Sequence, residues 1–358
     1  MIRYIVRRLL LSIPVLLGIV LLVFVLARVI PGDPCTATYG EKATPEICAA
    51  FEARYGLDKP IMEQFVIYLG ALVQGDLGSS IRFGRPVAAL LVERLPVTLE
   101  LTVLALLFAS VVGISLGLLS AVRRNSPVDV GTMVVANVGV SMPVFVLGLF
   151  LAFVFAVLLR GTPFALPPSG RLTPGVDVQS LVEVWGLPDL QGPPRLVLDF
   201  ISNMYLPTTL VTGQWSAFLD ALTHLILPAV AVGTIPLAII ARMTRSSLLE
   251  VLGLDYIRTG RAKGLRERAV VLRHAMRNAL LPVVTVIGLS LGAFLSGAVL
   301  TETIFNLTGV GRTLFDAIEG RDYIVVQGVT VVVAVGYLVV NLLVDVSYAK
   351  LDPRIRLD

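Results

Sequence analysis

The densest cluster of chemically capable side chains lies between Arg242 and Ala279, where nine basic residues face only Glu250, Asp255 and Glu267. The basic ones are Arg242, Arg245, Arg258, Arg261, Lys263, Arg266, Arg268, Arg273 and Arg277. Their chemistry is electrostatic, suited to docking a partner's acidic groove or to contacting anionic lipid. Catalytic chemistry has far less to work with. His224 and His274 are fifty residues apart and Cys35 and Cys48 form no CxxC pair, so a structural zinc site lacks a ligand set. No G-x-x-x-x-G-K-[ST] phosphate loop occurs, and Gly309 with Gly311 makes only a fragment of a dinucleotide fingerprint. Serine nucleophiles lack an elbow context. We expect no enzyme here, and no cofactor or metal held by this chain. Any uphill work must draw its energy from another polypeptide.

The elements that carry the basic segment follow from composition. Of the 358 residues 56% are hydrophobic and 15% charged, against about 25% charged in an ordinary soluble domain. Such a chain cannot cover a globule with polar side chains, which excludes a soluble enzyme. A net charge of +4 with 7% aromatic residues is also a poor basis for binding nucleic acid. A spanning helix needs roughly 20 mostly apolar residues. Six stretches qualify: Leu9–Ile30, Leu99–Ala121, Val130–Leu159, Leu222–Ala241, Leu280–Leu300 and Ile324–Val346. The predicted class is all-α, a polytopic membrane protein with six spans. The first span follows Arg3, Arg7 and Arg8 as a signal peptide would, but its apolar run is too long, and it reads as a retained anchor. The third is long enough to tilt or to break near Pro143.

Loop charge sets the expected orientation. With the N-terminus in the cytoplasm, the inner segments carry 17 basic residues and the far longer outer ones 11. Acidic residues divide the other way, 17 outside and 6 inside. Both termini are therefore expected in the cytoplasm. The chain divides into an anchor helix (1–30), an extracytoplasmic segment (31–97), a transmembrane domain (98–346) and a cytoplasmic tail (347–358). Helical periodicity from Ile61 to Val73 predicts a small helical subdomain in the extracytoplasmic segment. The transmembrane domain carries the cytoplasmic loop 242–279 and an external insertion over about 160–221. Prolines and glycines in that insertion favour irregular structure with short helices. Cys35 and Cys48 fall outside, where an oxidising medium favours a disulfide over two free thiols.

Ionisable groups within the spans are few. Arg28, Glu100, His224 and Asp345 fall near span ends, where snorkelling to the interface is the expected behaviour. Asn137, Ser141 and Ser290 lie deeper and either line a path or bond between helices. A proton- or sodium-coupled carrier needs a carboxylate near mid-membrane, and the spans offer none. The spacings Gly113–Gly117 and Gly288–Gly292 let helices approach closely.

Residue order narrows the reading of the basic segment. Apolar residues recur at helical intervals around Gly253 and Gly264, which predicts short helices meeting at a bend. The run Asp255-Tyr256-Ile257-Arg258-Thr259-Gly260-Arg261-Ala262-Lys263-Gly264-Leu265 is followed by Arg273-His274-Ala275-Met276-Arg277-Asn278-Ala279-Leu280-Leu281-Pro282. Together they resemble the EAA signature of ABC-importer permeases, and more narrowly the first permease of the dipeptide/oligopeptide/nickel family. The likeness covers almost the whole chain. It takes in Arg7-Arg8, Ile30-Pro31-Gly32-Asp33-Pro34, Tyr55-Gly56-Leu57-Asp58 and Gly75-Asp76-Leu77-Gly78 with Ser80. It continues through Arg94-Leu95-Pro96-Val97-Thr98, Arg242–Glu250, Glu302-Thr303-Ile304-Phe305, Arg321-Asp322-Tyr323 and Leu351-Asp352-Pro353-Arg354. Departures are local. Arg258, Thr259 and Gly260 replace the acidic and alanine positions of the general pattern, Thr308 and Ile324 stand where this branch commonly has proline, and the loop around 171–220 is long.

The resemblance implies a type I ABC-importer transmembrane fold in a bacterial or archaeal cell membrane, forming half of a translocation path. It implies a second homologous permease, an external substrate-binding protein, and two cytoplasmic ABC ATPase subunits or domains that hold ATP and magnesium. Arg258, Thr259, Gly260, Arg261, Ala262, Lys263 and Gly264 are then the segment that couples to the ATPase. The implied cargo is di- or oligopeptides, with nickel chelates, glutathione or oligosaccharides as alternatives on the same architecture. A self-contained secondary carrier or channel is the rival from another class, and the missing mid-membrane carboxylate argues against it.

Overall fold

The computed structural model describes residues 2–29, 33–295 and 299–351. Ile30-Pro31-Gly32, the predicted span residues 296–298, and Asp352-Pro353-Arg354 with the remaining tail lie outside the described residues. Helix α1 covers Ile2–Val29, and the extramembrane helices α2 (Pro34–Tyr39), α3 (Pro45–Tyr55) and α4 (Ile61–Val73) follow. Next come α5 (Val87–Val122), α6 (Pro127–Ser141) and α7 (Val144–Ala152), the last continued by a wide π-type turn to Leu158. Short helices α8 (Leu181–Val184), α9 (Pro193–Ser202) and α10 (Tyr205–Thr212) punctuate the long second loop. Then α11 covers Trp215–Leu252, α12 Asp255–Ala262 and α13 Glu267–Ala269. A second π-type turn, Val270–Ala275, leads into α14 (Met276–Leu295). The order closes with α15 (Val299–Ile304), α16 (Val310–Glu319) and α17 (Tyr323–Leu351).

Among the described residues, five helices are long and apolar enough to cross a membrane, and the α6–α7 pair makes a sixth crossing when counted as one. That pair bends by 102° at Met142–Pro143. Proline removes a backbone donor and disfavours helix in the residue before it, so the break falls where the sequence allows one. Two predicted spans are only the cores of longer helices. α5 starts twelve residues before Leu99, and α11 runs eleven residues past Ala241. Hydropathy reports the stretch that matches about 30 Å of hydrocarbon, whereas 36 and 38 helical residues reach roughly 54 and 57 Å. The predicted boundary at 97/98 therefore falls inside α5. Most of the predicted loop 242–279 is helical, with only 253–254 and 263–266 between helices.

α5 and α11 form the spine. A β-carbon on Gly113 would stand 2.8 Å from the Leu237 carbonyl oxygen, on Gly117 2.5 Å from that of Ala241, and on Gly233 2.7 Å from that of Ala105. Glycine at these positions lets the two backbones touch. Buried clusters follow the spine: Leu101, Leu225 and Phe305 at one end, Ala109 and Ile240 in the middle, Leu248, Ile257 and Val271 at the other. Outside the spans, Asp33 and Thr44 cap α2 and α3, each followed by a proline that is preorganised for the first turn. A disulfide joins Cys35 to Cys48, and Phe51 packs between Tyr39 and Tyr55.

The four ionisable groups near span ends have partners within the protein. Glu100 is 4% exposed, pairs with Arg171 at 2.9 Å and accepts the Leu206 N–H. His224 is as deeply buried, with Nδ1 2.8 Å from the Asp220 carbonyl oxygen. Arg28 lies over the Phe24 ring and donates to Gln64 Oε1 at 2.9 Å, and Asp345 pairs with Arg8. Tertiary packing supplies partners for these groups that water at the interface otherwise provides.

Candidate functional site

Residues 255–266 form a bracket at the end of the bundle where α5, α11 and α14 meet. Leu254 leaves helical geometry (ψ 149°), which ends α11 and lets α12 start in a new direction. Asp255 in the first turn and Arg261 in the last complement the helix dipole. Ile257 is the single buried residue of α12, 1% exposed, and it packs among Leu248, Val251, Val270 and Ala275. Tyr256 adds a second tether, accepting from Asn278 Nδ2 at 2.8 Å and donating to the His274 carbonyl at 3.4 Å. One apolar plug and one hydrogen-bonded ring thus tie the helix to α11 and α14.

The rest of the predicted segment faces outward. Arg258, Thr259, Arg261, Ala262, Lys263 and Gly264 are exposed, and Gly260 is half-buried beneath Leu265. Arg261 makes two bonds to Glu267, at 2.6 and 3.0 Å, across the turn that follows the helix, and these bonds raise the guanidinium pKa. Gly264 carries that turn with φ +78° and donates its N–H to the Arg261 carbonyl at 2.9 Å. A β-carbon there would meet nothing within 4 Å. Within this chain the glycine therefore serves the bend.

Asn137 lies in a groove of about 540 Å³ between α6 and α11, together with Met133, Ile239, Arg242 and Ser246. Ser141 stands one turn further along α6 and donates to the Asn137 carbonyl at 3.0 Å. Ser290, on α14, donates to the Val286 carbonyl at 2.7 Å. These bonds stay within their own helices, so the two serines do not act as interhelical ties. The fold brings Asn137 and Ser141 onto one exposed face and leaves Ser290 on a different helix.

Three buried polar networks escape sequence reasoning. Asp129 accepts Arg245 Nε and Nη2, both at 2.8 Å, with the Ser120 hydroxyl and the Asn125 N–H, and so joins α5, α6 and α11. The pattern Ser126-x-x-Asp129 announces a helix start but not its distant arginine. Glu302, fully buried, accepts from Thr98 Oγ1 at 2.6 Å and the Arg312 N–H at 2.8 Å. Burial pushes its carboxyl above the usual carboxylate range, while the Thr98 hydroxyl and the N–H groups of Arg312 and Gly311 oppose that shift. Gly309 and Gly311 make room: their β-carbons would stand 2.4 and 3.1 Å from the carboxylate oxygens. The glycine pair that resembled an incomplete nucleotide fingerprint is a cradle at the start of α16 for the chain's own glutamate. In the third network Asp322 accepts from the Ser80 hydroxyl at 2.5 Å and the Arg82 N–H at 3.0 Å.

Comparison with known proteins agrees with this architecture. Residues 113–357 match the family described as binding-protein-dependent transport system inner membrane component, and residues 1–102 match the N-terminal component of the same systems. The dipeptide transport system permease protein DppB of Escherichia coli is 46% identical over 357 residues, covering 99% of both chains. The di/tripeptide transport system permease protein of Pseudomonas aeruginosa shows the same identity and coverage, 46% and 99%. The dipeptide permease of Alkalihalophilus pseudofirmus is 43% identical across 99% of this chain and 100% of its own. This chain therefore belongs to the inner membrane components of binding-protein-dependent transport systems: a multi-pass permease subunit with the type I ABC-importer fold, not an enzyme, working with a substrate-binding protein and an ATPase.

Proposed function

We propose that this permease imports di- and oligopeptides, as one of two homologous permeases that share a translocation path. The full-length similarity to permeases named for di- and tripeptides carries that reading. Both termini and α12 lie in the cytoplasm, and the segments around residues 45 and 180 lie outside. Two ATPase subunits or domains dock on α12, whose exposed Arg258, Arg261 and Lys263 offer charge while Ile257 and Tyr256 hold the helix to the bundle. When the ATPases close, α12 passes rigid-body motion to α11 and α14. Asn137 and Ser141 line the path on the groove beside Arg242, and Ser290 contributes from α14. The deciding experiment reconstitutes the permease pair, ATPases and binding protein in vesicles and follows labelled dipeptide, nickel chelate and glutathione. ATP-dependent uptake of dipeptide alone is expected. Uptake of a chelate or of glutathione without dipeptide would reject the cargo, and uptake without ATP would reject the importer.

A further inference from the structure

A cavity of about 180 Å³ opens where the end of α1, the turn after α3, α4 and the first turns of α17 meet. Its polar lining includes Arg28, Gln64, Tyr68, Asp76 and Gln327. Gln327 is 5% exposed, and its Nε2 has no hydrogen-bond partner among the described residues. The Tyr68 hydroxyl is also buried without one, although its ring stacks on Phe24. Two orphan groups on one cavity are unusual, because buried polar atoms are nearly always paired. Burial pushes the Tyr68 phenol up to about 12, so it keeps its proton. Arg28 adds positive charge. It spends Nε on Gln64 and Nη1 on the Phe24 carbonyl, leaving further donors of its fork over. Asp76 is the one acidic group among the described lining residues, and its Oδ1 already accepts the Gly78 N–H at 2.8 Å.

Spare donors around a cation suit an anion with several acceptor oxygens. The volume exceeds what a single water requires, which is about 10–15 Å³ on the same measure. Position narrows the class. Arg28 sits at the last turn of one membrane-crossing helix and Gln327 at the first turns of another, so the cavity lies at the membrane boundary. Met62, Val66 and Val73 leave the neighbouring α4 with exposed apolar carbon, as a helix resting at the interface would have. Apolar Ile67, Ala71, Leu77 and Ile324 complete the lining.

We propose that this cavity binds the phosphodiester of a membrane phospholipid, held by Arg28, Tyr68 and Gln327, and that the lipid fastens the 55–81 segment to α1 and α17. The inference needs α1 and α17 to cross the membrane and is independent of which solute is imported.

The test uses the assembled complex, stripped of lipid in detergent and then titrated with dioleoylphosphatidylglycerol, dioleoylglycerol or inorganic phosphate. Native mass spectrometry counts bound molecules. Tyr68→Phe and Gln327→Met each remove one donor at nearly constant shape. Wild-type complex is expected to hold one phospholipid that each variant binds about tenfold more weakly, and the double variant about a hundredfold. Millimolar phosphate should not displace it, and dioleoylglycerol should not replace it. Equal lipid retention by wild type and double variant would overturn the proposal and leave a water-filled cavity. Displacement by inorganic phosphate would mean a free-anion site, and equal binding of dioleoylglycerol would mean that the phosphate is not read. Either result also overturns it.

Discussion

Thr98 donates its hydroxyl hydrogen to Glu302 at 2.6 Å, joining two side chains that are 204 residues apart in sequence. The same hydroxyl oxygen accepts the Val310 N–H at 2.8 Å. One threonine on α5 therefore fixes both the carboxylate and the start of the helix that surrounds it. The motif Arg94–Thr98 meets the motif Glu302–Phe305 at this point, and the pair closes one end of the bundle over Leu101 and Phe305.

The cradle predicts a steric signature. In Gly309→Ala the new methyl would lie 2.4 Å from Glu302 Oε1 and 2.5 Å from Thr98 Oγ1, two buried side-chain ends that their hydrogen bonds to each other and to the Val310 and Arg312 N–H groups hold in place. Overpacking of this kind costs about 1–3 kcal/mol. Thermal unfolding of the purified complex should show a lower midpoint for Gly309→Ala than for Gly131→Ala, whose β-carbon meets nothing. Equal midpoints would remove the cradle.

The Arg171–Glu100 pair predicts an asymmetry between single and double changes. Arg171→Met leaves the buried carboxylate with no cation and is expected to cost about 3–5 kcal/mol. Adding Glu100→Leu should recover most of that loss, since an apolar pair of similar volume replaces a buried ion pair at little cost. Protease sensitivity of the 160–221 insertion, which Arg171 anchors through the Asn203 carbonyl as well, reports both.

For α12, Gly264→Asp should stop transport while the protein still inserts. The substitution forces a side chain into φ +78° and places negative charge beside Arg261 and Lys263. Substrate-stimulated ATP hydrolysis is expected to fall roughly tenfold or more. Arg277→Gln, exposed on α14, is the proper comparison, because Arg242 lines the proposed path, and Arg245 is bound to Asp129 so that its loss would unseat α6. Exchanging Arg261 with Glu267 keeps the ion pair and alters the outward charge, which separates folding from docking. If Arg277→Gln and Gly264→Asp impair transport equally with ATPase still bound and stimulated, α12 is not the coupling element.

Cys35 and Cys48 should resist alkylation in native protein until a reductant is added, as peptide mass spectrometry will read. Replacing both by serine should lower the stability of the α2–α3 unit by up to about 3 kcal/mol. Alkylation of both thiols without reductant would show them free.

Orientation is tested by single cysteines introduced at positions 45, 180 and 264 after the native pair is replaced. An impermeant maleimide should label the first two in intact cells and spare the third. Labelling at 264 would invert the topology and move the ATPase contact elsewhere.

Local physics explains how much was readable from residue order. The all-α class with five to six candidate crossings, the break at Pro143 and helix α4 at Ile61–Val73 all emerged, because hydropathy, proline geometry and helical periodicity act within a few residues. The exposed basic helix at 255–262 emerged for the same reason, with Gly264 ending it. Helix ends did not. α5 and α11 continue past the hydrocarbon because backbone hydrogen bonding does not stop where apolar composition does, and packing against each other sustains the extra turns.

The charged residues show the sharpest division. Sequence identifies Glu100, Asp129 and Glu302 as carboxylates near span ends or helix starts and nothing more. Their partners Arg171, Arg245 and Thr98 lie 71, 116 and 204 residues away, at distances along the chain that carry no local pattern. A buried charge must be paired wherever folding happens to bring a donor, and that meeting point depends on which helices touch and at what depth. Composition could say that water was the default partner. Only the packed bundle, by excluding water from these sites, made the distant residues into ligands for one another.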